Sequence, residues 1–222
     1  MKKLLVVTGP QGSGNHMWSK VLSGTPGVKG WEELQHNYWV GHGNEPFSNV
    51  WEDPSLFSRI SWEPGDYTTS ISCPYISKGG PTDETSEPKY AEFIEEAIKA
   101  GFNVKLAIIG RDKNILEFQQ NRVRKNHSTP RFLKHLDSLM KYEPVFLSTE
   151  LLYLFKDYYL KQISKLLDFP IDNKNLESIL ADNANKKYLV PVKSYWLDEH
   201  MKAQSDQNGD PTNPYKYRDN GA

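Results

Sequence analysis

Short apolar runs alternate along the chain with longer segments whose apolar positions recur at helical spacing. KLLVVT, residues 3–8, is a continuous apolar run closed by Gly-Pro, the pattern of a strand buried on both faces. Residues 15–22 predict a helix and residues 28–30 a second, short strand. TTSISC, residues 68–73, is β-branched and stopped by Pro74, so it predicts a strand. PKYAEFIEEAIKA, residues 88–100, predicts an amphipathic helix with Pro at its start and Gly101 just past its end. Strands are expected over residues 103–109 and 144–147, and helices over 114–125, 132–141, 149–167 and 175–181. In the helix at 132–141, Phe132, Leu133, Leu136, Leu139 and Met140 share one face. Residues 35–68 show poor periodicity and abundant Gly, Pro, Asn and Trp, and predict an irregular insertion with one helical turn. Stretches of that length are functional lids or disordered segments in compact domains.

Strand–helix alternation on this spacing predicts an α/β fold: a three-layer, doubly wound parallel sheet with right-handed crossovers. Ligands of such sheets sit at the carboxyl ends of strands. Four junctions are therefore of interest: after Thr8, after Gly30, after Cys73 and after Gly110. A single domain is expected over residues 1–202. From residue 203 the chain is polar and rich in Pro and Gly, and predicts an extended or disordered tail.

Composition narrows the classes. At 222 residues and net charge −1, nothing global points to nucleic acid or a membrane surface. The single Cys73 excludes an internal disulfide and fits a reducing compartment. No apolar stretch approaches the roughly 20 residues of a membrane span. A soluble, cytoplasmic protein is the expectation. Of the six tryptophans, Trp31, Trp39 and Trp51 crowd into one region, as core or as a pocket wall.

The first junction carries the chemistry. In GPQGSGNHMW, residues 9–18, Gly9, Gly12 and Gly14 let backbone amides surround an anion, and the following helix adds its positive end. Ser13, Asn15 and His16 add donors. A nucleotide triphosphatase loop carries Lys and then Ser or Thr after the last glycine. Here Asn15 and His16 stand there, which disfavours Mg-ATP chemistry.

Ser13-Gly14-Asn15-His16-Met17-Trp18 resembles the phosphosulfate loop of sulfotransferases, "Lys-Ser-Gly-(Thr/Asn)-Thr-Trp". The resemblance implies a P-loop nucleoside triphosphate hydrolase-like fold of the sulfotransferase type. It also implies 3′-phosphoadenosine 5′-phosphosulfate as sulfuryl donor, without a metal. Gln11, Gly12, Ser13, Gly14, Asn15, His16 and Met17 would hold the 5′-phosphosulfate. Gly12 takes the position where the family carries a cation, and His16, Lys20 or Lys78 is the candidate replacement. The fourth junction, GRDKNILEFQQ, resembles a family segment in which an Arg, and a Ser eight positions on, grip the 3′-phosphate. Arg111 matches the Arg, Asp112 the Asn or Asp beside it, and Gln119 falls at the Ser. An Arg fork at a strand end independently suits a dianionic phosphate. Residues 144–188 resemble the closing strand and helix of the family, with Glu150 in a structural place.

Sulfuryl transfer needs a base for the acceptor. Cytosolic members place a His after the third strand; Ser72 stands there instead. Other members place a Glu after the second strand, which makes Glu33 the candidate, with Glu32 beside it, while His16 is the candidate contact to the sulfuryl group. The helix-dipole alternative for both glutamates stays open. No metal-ligand spacing is present. The expectation is a sulfotransferase acting on a hydroxyl or amine of a small-molecule or glycan acceptor. An altered-loop kinase and a non-catalytic nucleotide-binding protein of the same fold are the alternatives.

Overall fold

The computed structural model describes residues 1–37, 40–76, 85–124 and 128–181, with the side chains of 122–124 left aside. Contacts divide the chain into Met1–Asp182 and Asn183–Ala222, and the second unit lies outside the described residues. So do the expected boundary at residue 202, the tail beyond it, Trp39, Lys78 and His127.

Five parallel strands form one sheet in the order β2-β3-β1-β4-β5. They are β1 (Lys2–Pro10), β2 (Val28–Lys29), β3 (Gly65–Cys73), β4 (Phe102–Gly110) and β5 (Val145–Ser148). β1 pairs along its length with β3 on one side and β4 on the other. The chain runs from β1 outward to β2, returns to β3, then crosses to β4. The crossing puts a topological switch at the end of β1, where such sheets bind ligands.

Alternation along β1 fills both faces. Leu4 and Val6 enter one core, Leu5 and Val7 the other, and all four are fully buried. The second core is closed by α1 (Asn15–Ser23), α7 (Thr149–Leu167) and α8 (Leu176–Ala181), through Trp18, Leu22, Leu152, Leu160 and Leu176. The first is closed by α4 (Tyr90–Lys99) and α6 (Thr129–Met140), through Phe93, Ile94, Phe132 and Leu139. The fold is thus α/β with helices on both faces of a parallel sheet. Of the apolar face expected on α6, Leu133 and Met140 are exposed and only the Phe132–Leu136–Leu139 line turns inward.

The insertion is more ordered than its sequence pattern predicts. It folds into α2 (Glu33–His36), α3 (Ser48–Glu52) and short 3-10 turns at His42–Asn44 and Pro54–Arg59. Its apolar residues serve the first core. Trp51 stacks on Phe93 with centroids 3.6 Å apart, and its indole N–H donates to Thr69 Oγ1 at 3.0 Å. Phe47, Val50 and Phe57 are buried beside it. Period-based reading fails here because each piece is too short to show a repeat, while its burial is decided by the sheet face it covers. The remaining helix, α5 (Lys113–Arg124), leads from β4 toward α6. Asp112 caps it by accepting the Ile115 amide at 3.0 Å. α7 carries a break at Lys156, whose φ of 45° is left-handed, and this lysine pairs with Glu177 at 2.8 Å.

Candidate functional site

The loop after β1 takes its shape from two glycines. Gly12 has φ 89° and Gly14 φ 114°, both in the region that side chains avoid. A Cβ at Gly12 would also stand 3.2 Å from Gln119 and 3.3 Å from Leu116. A side chain at residue 12 would therefore be strained by the backbone conformation and crowded by α5. Gly14 caps α1, and the Trp18 amide returns to the Gly14 carbonyl at 3.0 Å. The amides of Gly14, Asn15 and Met17 have no acceptor among the described residues. They are the orphan donors of a helix start, and they supply what an anion requires. Asn15 is 5% exposed and its Oδ1 has no hydrogen-bond partner.

Four neighbours hold this loop. From the end of β3, Cys73 O accepts the Gln11 amide at 3.3 Å, and Pro74 O accepts Gln11 Nε2 at 2.7 Å. From α5, the fully buried Gln120 donates to Gln11 O at 2.7 Å. Gln120 also accepts the Ser128 amide at 3.0 Å and so ties the loop to the start of α6. From α7, Thr149 Oγ1 donates to Ser13 O at 3.1 Å. Gln11 thus spends its side chain on the scaffold. Gln120 and Thr149 carry no motif, and their role emerges only from the packing of distant helices on one loop.

The fourth junction reaches the same place. Arg111 Nη1 donates to both Gly12 O and Gln119 Oε1. The two residues matched eight positions apart in sequence therefore converge on each other, above the loop. Glu150 accepts the Asp112 amide at 2.9 Å and the Ser148 hydroxyl at 3.2 Å, and so joins this junction to the start of α7.

On the opposite side the loop meets the insertion. His16 Nε2 donates to Val40 O at 2.8 Å. Its ring lies 5.1 Å from that of Trp31 and 5.2 Å from that of His42. His42 Nε2 is in turn 3.4 Å from Ser72 Oγ, and Ser72 is the register partner of Gly9. An imidazole from the insertion thus stands at the end of β3, where the strand itself offers only Ser72. Glu33 is exposed, with Asn44 Nδ2 donating to its carboxylate at 3.3 Å. Glu32 is exposed beside it.

Glu45 is the residue that sequence reading passed over. It is 3% exposed, and burial pushes its carboxyl up to about 8, against weaker opposition from the Thr69 hydroxyl and the Phe47 and Ser70 amides. No local pattern marks it, because its burial follows from how the insertion seats against β3. Cys73 is inert by comparison: burial, with the Glu87 charge adding, raises its thiol to about 11. Among the described residues no three His, Cys, Asp or Glu side chains gather as metal ligands. No described helix is long and apolar enough to cross a membrane.

No protein-family model matches this chain. No curated protein matches it either. Among solved structures, the chain is similar to mouse sulfotransferase SULT7A1 complexed with PAP, at 14% identity and a TM-score of 0.45. That similarity covers 84% of this chain and 64% of the mouse structure, so the chain spans less than two thirds of its neighbour's length.

Proposed function

We propose that this chain is a sulfotransferase that takes its sulfuryl group from 3′-phosphoadenosine 5′-phosphosulfate. One observation carries the reading: Arg111 and Gln119 meet over a glycine loop whose amides open α1. In this reading the amides of Gly14, Asn15 and Met17 hold the 5′-phosphosulfate, and the guanidinium of Arg111, steadied by Gln119, grips the 3′-phosphate. His16, at the amino end of α1, faces the sulfuryl end of the site. The donor brings the activated sulfur; the chain's own work is to bind it, orient it and receive the acceptor's proton. Acceptors are small molecules or glycans with a hydroxyl or amine.

A kinase of altered loop is the weaker reading, since the loop has neither Lys nor an adjacent Ser or Thr for Mg-ATP. The test is differential stabilisation of the full chain. A ligand at about 100 times its Kd stabilises by roughly 2.7 kcal/mol, a rise of a few degrees in melting temperature. 3′-Phosphoadenosine 5′-phosphate is expected to produce that rise and Mg-ATP none. The reverse preference rejects the reading. Stabilisation without turnover across phenols, sugars and amines would instead indicate a binding protein that has kept only the fold.

A further inference from the structure

Among the described residues β2 pairs with Asp66 and Tyr67 of β3, and no strand lies beside that edge of β3 above Tyr67. The insertion covers this edge and leaves a pocket there, lined by His42, Glu45, Trp51, Ser70, Ile71 and Tyr75. The pocket holds about 10 Å³, the space of roughly one water-sized group. Glu45 Oε2 is occupied, accepting the Phe47 amide at 2.8 Å. Glu45 Oε1 is buried and makes no hydrogen bond of normal length, although the Thr69 hydroxyl and the Ser70 amide lie close enough to pull its carboxyl down. A buried carboxyl oxygen so weakly paired is costly and calls for an occupant. His42, which lines the pocket, touches both Ser72 and the loop's His16, so the pocket lies one side chain away from that loop.

We propose that this pocket seats the reacting hydroxyl of the acceptor, with Glu45 as the group that takes its proton; this rests on the sulfuryl-transfer reading above. The space admits the hydroxyl tip alone and leaves the body of the acceptor outside, against the insertion. An un-ionised carboxyl both donates to and accepts from a hydroxyl, whereas an ammonium would demand a charged partner at rest. In the step, a lone pair of the acceptor oxygen forms the bond to sulfur. The bond from sulfur to the donor's 5′-phosphate oxygen breaks, and its electron pair leaves with that phosphate. The hydroxyl proton passes to Glu45 Oε1. Glu45 must itself be ionised beforehand, so the rate rises with pH toward about 8, where its carboxyl titrates. The titratable groups facing it are His42 on its own turn, Glu52 on α3 and Tyr75 after β3; β3 contributes only the uncharged Thr69 and Ser70.

The experiment uses the full chain, wild type and Glu45→Gln, with phenol as probe. Phenol binding, read by saturation-transfer NMR, is expected to weaken about tenfold in the variant, the loss of one hydrogen bond to a carboxyl, while affinity for 3′-phosphoadenosine 5′-phosphate is unchanged. Phenyl sulfate formation is expected to fall about 100-fold or more, and the rise of rate toward pH 8 to vanish. Equal phenol affinity in both proteins overturns the pocket. A variant that keeps the wild-type pH profile overturns the proton role. Tighter binding of benzylamine than of phenol overturns the choice of a hydroxyl. Failure of the wild type to bind 3′-phosphoadenosine 5′-phosphate overturns the sulfuryl-transfer reading instead, and the phenol arm still decides the pocket. If Glu45→Gln does not fold, Glu45→Asp, which draws the carboxyl back from the pocket, takes its place: phenol affinity and phenyl sulfate formation are expected to fall, and wild-type values of both overturn the proposal.

Discussion

The two sides of the β1 terminus are built on different principles. On the β4 side, the loop, Arg111 and Gln119 lie within short sequence stretches and are placed by local rules. Positive φ needs glycine, a strand end presents the next residue, and Gln119 reaches that residue from α5. On the β3 side, His42 and Glu45 come from an insertion without periodicity, and only its burial against β3 gives them a site. A motif therefore describes the β4 half of this site, and packing describes the other half.

The sharpest way to break that contrast is to show that the insertion is a mere lid. Trp51 is 1% exposed and stacked on Phe93. Trp51→Ala is expected to lower unfolding free energy by about 3–5 kcal/mol in urea titration, the cost of emptying an aromatic core position. A loss below about 1 kcal/mol would mean that the insertion lies on the domain without joining its core.

The β4 side is tested by Arg111→Ala. Affinity for 3′-phosphoadenosine 5′-phosphate is expected to fall about 30- to 100-fold, roughly 2–3 kcal/mol for a charge-assisted contact. Adenosine 5′-phosphosulfate, which has no 3′-phosphate, should bind nearly as before. Equal losses for both would reassign the guanidinium to the loop itself, where it already rests on the Gly12 carbonyl.

Much of the scaffold could be read from the chain because its signals are short-range. Continuous apolar strands, the Gly-Pro stop after β1 and the glycine beyond α4 each fix an element within a few residues of themselves. The glycines that shape the loop were legible for the same reason, and the structure adds that a side chain at residue 12 would be strained and crowded by α5. What stayed hidden depends on long-range seating. Gln120 reads as one polar residue on a polar helix, yet it is fully buried as the clip of the loop. Glu45 sits between an exposed Asn44 and an exposed Pro46 and gives no sign of burial. Ser72 was noted as the missing histidine, but an imidazole arriving from residue 42 cannot be inferred from spacing along the chain.

Glu45 also makes a prediction that needs no ligand. Between about pH 4.5 and 8 its carboxyl is ionised in the unfolded chain and protonated in the folded one. The unfolded state then binds fewer protons, so folding stability falls as pH rises through that window, by up to about 1.4 kcal/mol per pH unit. Below the window the contribution is fully present; above it, the folded state carries a buried charge. Glu45→Gln is expected to flatten this slope, measured as melting temperature against pH in wild type and variant. Parallel curves would place the carboxyl in water and remove it from the pocket.

The smallest expected effect separates the two glutamates of the insertion. Glu33 is exposed, held only by Asn44, and a neutral replacement there leaves no buried group unsatisfied. Glu33→Gln should change stability by less than about 0.5 kcal/mol, as surface substitutions do. Its influence on turnover is the informative part. If Glu33 were the base it would lose its role when made neutral, so Glu33→Gln would lower turnover while Glu45→Gln spared it. The opposite pattern puts the proton at Glu45, on the side of the site that only packing could build. Measured side by side at pH 8, with equal nucleotide affinity as the control, the two variants decide whether the proton acceptor stands after the second strand, where the family resemblance directs attention, or under the edge of the third.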